Sequence, residues 1–154
     1  MTPDRKAEIA RALHEVRKTL PEHVTLIVVT KTFPLSDVEI LYELGERNFG
    51  ENRDGEGREK SEALPDDAIW HFQGGVQSNK LRSIVGWSDY IHSLDDLSHA
   101  KKISELALQM DKQQKCFIQI NLDLKFRKLR AVVESRRENF VLLRKKFVCS
   151  RGYP

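Results

Sequence analysis

The ten residues His23-Val24-Thr25-Leu26-Ile27-Val28-Val29-Thr30-Lys31-Thr32 constrain this chain more than any others. They form a mainly apolar, β-branched run with neither Gly nor Pro inside it. A strand buried on both faces of a parallel sheet reads this way, because helices cover both sides and no polar alternation is needed. The run ends at Lys31, and Pro34 then blocks further ladder pairing. A lysine at the carboxyl end of a parallel strand sits where α/β barrels carry their chemistry. Partial desolvation would lower its pKa and free its amine to attack a carbonyl. The competing reading is a lysine that ends the strand and extends its head into water.

The segments around this run alternate between two periods. Residues 2–20 read as a surface helix with Thr2 as cap, Pro3 in the first turn, and an apolar stripe of Ile9, Leu13, Val16 and Leu20. After the strand, Ser36 and Glu39 suggest a capping box, and Gly45 a helix stop. Arg47–Asn52 reads as a second strand. The charged stretch after it runs to Leu64, with Gly55 and Gly57 weakening its helical start. Ala68–Gln73 forms a third strand ending in Gly74-Gly75, and Ser78 is placed to cap the helix that follows. Tyr90–Leu94, a helix over 95–111 and a strand over 115–121 complete the pattern. Strands alternating with helices at this spacing predict βα units, a parallel sheet and right-handed crossovers.

Charge divides the chain in two. From Leu124 onward there are ten Lys or Arg against two Asp or Glu, which leaves 16 basic and 21 acidic residues for the first 123. Leu129, Val133, Phe140, Leu143 and Phe147 recur near helical spacing, so residues 124–154 read as a divergent basic helical tail or a solvated segment. A content of 40% hydrophobic and 32% charged residues describes a globular chain. No apolar run reaches the length of a membrane span. The N-terminus lacks the apolar core of a signal peptide, and Cys116 and Cys149 have no CxxC neighbour. The expectations are a cytoplasmic location and no metal site.

In a parallel βα fold the functional loops follow the strand carboxyl ends. That rule collects Lys31, Glu51-Asn52, His71 with Gln73-Gly74-Gly75, His92-Ser93 and Asn121. Asn52 could orient a ring hydroxyl or simply cap a turn. His71 alternates with Trp70 and Phe72 and so points to the opposite face from both. Gly74-Gly75 leading into Ser78-Asn79-Lys80 has the form of a loop that feeds a helix N-terminus, where free amides can hold phosphate. No GxGxxG, P-loop, GxSxG or HExxH pattern is present.

Five segments in order carry a resemblance: Val28-Val29-Thr30-Lys31-Thr32, Phe49-Gly50-Glu51-Asn52, Trp70-His71-Phe72-Gln73-Gly74, Gln77-Ser78-Asn79-Lys80 and Ile91-His92-Ser93-Leu94-Asp95. Together they resemble the pyridoxal phosphate homeostasis protein family, whose members are similar to the N-terminal barrel of alanine racemase. The resemblance covers residues 1 to about 123. It implies an α/β fold: a parallel βα-repeat forming a partial, truncated TIM-type barrel of the alanine racemase N-terminal domain kind, followed by the basic helix. It further implies that Lys31 forms the internal aldimine with pyridoxal 5'-phosphate (PLP). Asn52 would lie beside the cofactor ring, while His71, Gly74, Gln77 and Ser78 would line the same mouth and Asn121 would join them. Gln73 departs from the aliphatic residue more usual in the family. The larger departure follows Asp123, where three further βα units that would supply the phosphate cup have no match; a truncated or frame-shifted end is the expectation.

The resemblance implies a non-catalytic protein that holds PLP and passes it to PLP-requiring apo-enzymes. Three alternatives stand beside it. A truncated, non-functional fragment would leave an open barrel edge that invites self-association. A racemase-type PLP enzyme would need a second acid/base group, usually from another domain. A nucleic-acid binder would act through the basic tail, which has no aromatic platform for stacking bases.

Overall fold

The computed structural model describes residues 3–119 and 140–143, with side chains from Arg5 to Gln119. In order, the elements are α1 (Pro3–Lys18), β1 (Val28–Val29), α2 (Leu35–Glu43), β2 (Asn48–Glu51), α3 (Asp54–Ala63), β3 (Ile69–Phe72), α4 (Leu81–Trp87), β4 (Tyr90–Leu94), α5 (Leu97–Gln109), β5 (Gln114–Ile118) and β6 (Phe140–Leu143). All strand pairs are parallel and the sheet order is β1-β2-β3-β4-β5-β6. Because this order never reverses, right-handed crossovers place successive helices on the same face and leave the other face concave. Sequence alternation predicts the parallel βα sheet, and the unreversed barrel-like order is what the family resemblance implies.

Strand alternation sorts the side chains between the two faces. On the helix side, Phe49 packs on Trp70 with ring centroids 5.3 Å apart, and Trp87 meets the rings of Trp70 and Phe72 edge-on. Val38, Leu81, Ile84, Ile91, Ile103 and Cys116 complete this core, each essentially without exposure. The register sets Val29, Gly50, His71, Tyr90 and Lys115 side by side on the concave face.

Gly45 ends α2 as expected. Its φ of +92° is left-handed. Gly45 N–H bonds the Tyr42 carbonyl and Glu46 N–H the Leu41 carbonyl, both at 3.0 Å, the paired bonds of a Schellman end.

Four expectations need correction. The strand expected over 23–32 is shorter and not buried on both faces: the ladder covers Val28–Val29, and Val24 and Val29 are 43% and 45% exposed. Among the described residues β1 pairs only with β2, so an edge strand lacks cover on its concave side. The capping box at Ser36 is absent, because α2 begins at Leu35 behind Pro34 with no side-chain cap. Ser78 does not cap α4, whose cap position is Lys80; its hydroxyl pairs instead with His99. The tail is not one continuous helix, since Phe140–Leu143 is a strand paired with β5. Phe-Val-Leu-Leu is a continuous apolar run that suits a parallel strand as well as a helical stripe. The boundary at residue 123 and the remaining tail lie outside the described residues.

Candidate functional site

The strand carboxyl ends form a rim on which the predicted residues are spread. Lys31 is exposed there, just past β1. Among the described residues no hydrogen bond or ion pair holds its ammonium. The backbone on either side of it, by contrast, is tightly held. Thr30 is buried, its N–H continues the ladder to the Gly50 carbonyl at 2.9 Å, and its hydroxyl donates to Glu51 Oε1 at 2.6 Å. Its carbonyl accepts from Lys60 Nζ at 2.8 Å and from the Phe33 N–H at 3.1 Å.

That last bond closes a four-residue turn with Lys31 and Thr32 at its centre. Thr32 has φ +67°, while Lys31 is not among the residues of positive φ, which makes the turn type II. Position i+2 of that turn favours Gly; a β-branched residue there is a genuine outlier, costing roughly 1–2 kcal/mol. The Thr32 N–H donates to Glu56 Oε2 at 3.0 Å. This bond, with help from Arg53 and Lys60, holds the Glu56 carboxyl below its ordinary value against the opposing effect of burial.

Beneath the turn lies a buried ion pair, Lys60 Nζ to Glu51 Oε1 at 2.7 Å, with both side chains almost fully enclosed. Glu51 Oε2 has no partner among the described residues. Sequence reading missed this cluster, although it left a signal. Gly57, Lys60 and Leu64 fall at i, i+3 and i+7 on the stripe that α3 turns inward, so a lysine stood in a core position.

The other rim positions behave differently from one another. His71 is buried on the concave face, opposite Trp70 and Phe72 as alternation required. Its Nε2 lies 3.0 Å from Asn48 Oδ1 and its Nδ1 lies 2.9 Å from His92 Nε2. With the Asn48 oxygen accepting, the proton belongs on His71 Nε2, and His92 Nε2–H donates to His71 Nδ1. Burial above all, then the nearby His92 and Lys115, push the His71 pKa down to about 4, so the ring is neutral at physiological pH. Tyr90 stacks on it at 4.6 Å, and Lys115 Nζ reaches the Tyr90 hydroxyl at 3.1 Å.

Asn52 is exposed at the end of β2, and Gly74 is buried directly against its backbone. A Cβ on Gly74 would run into the Asn52 carbonyl, and Ser93 Oγ donates to the carbonyl of Gly74. The two loops therefore meet main chain to main chain. Gln77 and Ser78 are exposed in the loop after β3. Ser78 Oγ and His99 Nε2 are 3.0 Å apart. Asn121 lies outside the described residues. The structure thus unites Asn52 with Gly74, and Thr30–Thr32 with α3, while among the described residues no hydrogen bond links Lys31 or Asn52 to His71.

A cleft of about 470 Å³ lies against the edge strand, between α1, β1 and α2, lined by Ile9, Leu13, Val16, Leu26 and Val28. It contains none of the predicted site residues, although Thr30 and Phe33, the two ends of the Lys31 turn, lie on its wall with the paired Arg5 and Asp37. Among the described residues no His/Cys/Asp/Glu group could hold a metal ion, and no helix is long and apolar enough to cross a membrane.

The chain is similar to known proteins in both sequence and structure. Residues 5–131 match the family described as alanine racemase, N-terminal domain. A pyridoxal phosphate homeostasis protein of Synechocystis sp. is 43% identical over 110 residues, 70% of this chain and 50% of that protein. One from Corynebacterium glutamicum is 39% identical over 118 residues, 68% of this chain and 53% of that protein. The solved structure of PipY from Synechococcus elongatus with PLP bound superposes with a TM-score of 0.70 at 38% identity, covering 74% of this chain and 55% of that one. The chain spans about half the length of the curated relatives it matches.

Proposed function

The chain belongs to the alanine racemase N-terminal domain family, and on that premise we propose that it binds pyridoxal 5'-phosphate and serves intracellular PLP homeostasis, with the cofactor held as a Schiff base on Lys31. The observation that carries this reading is the state of Lys31, an exposed amine without a partner among the described residues, set on a pinned turn at the strand rim. When bound, PLP supplies an aldehyde carbon to which a neutral amine adds, water leaving as the C=N bond forms. The relatives support the choice of ligand, through their printed name and through PipY with PLP bound.

The described residues fit the aldehyde end of such a ligand. Between Val29 and His71 the concave face has Gly50, and the Gln73 side-chain amide lies over it, 3.2 Å from where a Cβ would stand. Asn52 and the Gly74 loop offer polar groups on the same rim, and Gln77 and Ser78 extend it. His71 uses both ring nitrogens in the wall of the face. With both nitrogens engaged, His71 holds the wall of the face and is not itself a free acid/base group.

As a carrier, the protein would hand PLP to apo-enzymes that require it, in the cytoplasm. The exposed Val29 of edge strand β1, with the exposed Val24 and Phe33 in the loops on either side of it, favours self-association over that edge. Sedimentation of a concentration series would test this, and a monomer throughout would end it.

The decisive experiment for the site is a PLP titration followed by absorbance, then borohydride reduction and peptide mapping. A saturable band with the reduced adduct on Lys31, lost in Lys31→Ala, is expected. No band, or adducts scattered over many lysines, would overturn the reading.

A further inference from the structure

We propose that Glu56 is a positioning residue for Lys31: its carboxylate holds the strained Thr32 in the left-handed conformation and so fixes the turn that presents the lysine amine. The inference rests on the reading of Lys31 given above and deepens it.

Lys31 is flanked by two anchors, and both come from α3. On one side Lys60 holds the Thr30 carbonyl; on the other Glu56 Oε2 accepts the Thr32 N–H at 3.0 Å. The first anchor is buried and belongs to the fold. The second is different in kind, because the Glu56 side chain is 29% exposed and its other oxygen pairs with the largely exposed Arg53 at 3.0 Å. A carboxylate held by a surface arginine contributes little to global stability. Its one specific task is the amide of the residue after Lys31.

That residue is the least suited to its own conformation. Position i+2 of a type II turn calls for glycine, and Thr32 pays the Cβ penalty there. Without an external acceptor, residues 30–33 would relax toward ordinary negative φ, and the Lys31 side chain would leave with them. Strain at a functional position persists only where surrounding contacts over-determine it. The lowered pKa of Glu56, caused first by the Thr32 amide, is consistent with a carboxylate kept ionised for this purpose.

The test combines removal with rescue. Glu56→Ala is expected to weaken Lys31 adduct formation at least tenfold and to spread borohydride-trapped PLP onto other lysines, with the thermal midpoint little changed. Adding Thr32→Gly should restore the Lys31 adduct, because glycine adopts the turn without help. A purely structural role for Glu56 would not be rescued in this way. Amide exchange at Phe33, whose N–H closes the turn, reads the same device without PLP: faster in Glu56→Ala, slow again in the double variant.

Unchanged Phe33 exchange in Glu56→Ala would overturn the proposal, as would a loss of Phe33 protection that leaves the Lys31 adduct intact. If the unaltered chain forms no adduct while Glu56 still controls Phe33, it is the PLP reading that fails, and the turn-holding role survives as a property of the fold.

Discussion

Lys60 Nζ donates to the carbonyl oxygen of Thr30 at 2.8 Å, so a buried ammonium on α3 holds the residue immediately before the exposed Lys31. The same nitrogen pairs with Glu51 Oε1, and the Thr30 hydroxyl shares that oxygen. Two lysines at one strand end thus have opposite fates. One is enclosed and spent on structure; the other is left open.

Removing Lys60 strands a buried carboxylate. Lys60→Met should destabilise the chain by about 3–5 kcal/mol in urea unfolding. Replacing both partners, Glu51→Leu with Lys60→Met, should recover most of that loss. A Lys60→Met variant as stable as the parent would show that Glu51 finds water or a new partner.

The two glycines of α3 should respond with opposite signs. Gly55 has open space where a Cβ would go, so Gly55→Ala should stabilise by about 0.5–1 kcal/mol through helix propensity. At Gly57 a Cβ would enter the Trp87 ring, so Gly57→Ala should destabilise by about 1–3 kcal/mol despite the better helix former. Denaturant midpoints for the two variants check both signs.

Gly74 should prove indispensable to the rim and Gly75 should not. Gly74→Ala forces the Asn52 backbone away and should lower PLP adduct formation on Lys31 by more than tenfold. Gly75 has nothing near its Cβ position, so Gly75→Ala should bind as the parent does. Equal titration curves for the two variants would remove the role given to this contact.

His71 should make stability depend on pH in one direction. Its ordinary value is 6.5 and burial lowers it to about 4 in the folded chain. Between those values the unfolded chain binds more protons, so the contribution of neutral His71 is complete above pH 6.5 and is lost as pH falls toward 4. Thermal midpoints of His71→Gln should show a flatter slope in that window than the parent. Parallel slopes would place the titration elsewhere.

Much of the fold was legible from local pattern. The expected strands overlap β2 to β5, with β4 matched at both ends and β5 ending at Ile118 rather than 121, and Gly45 marked the end of α2, because periodicity and left-handed caps are properties of neighbours in sequence. The errors came where neighbours were insufficient. Phe140–Leu143 satisfies a helical stripe and an apolar strand equally well, and pairing with β5 decided it. Ser36 and Ser78 had the chemistry of caps, but Pro34 took one place and His99 took the other hydroxyl.

The sequence by itself determined a parallel βα chain with Lys31, Asn52, His71 and Gly74 gathered at the carboxyl ends of its strands, since strand alternation and element order require only short-range rules. Only the tertiary structure decided how Lys31 is presented. Its supports are Glu51 to Thr30, Glu56 to Thr32 and Lys60 to Thr30, separations of 21, 24 and 30 residues. Such contacts exist once β1 and β2 are in register and α3 packs back across them, and a charged side chain in a surface-like segment does not announce the distant backbone group it will hold.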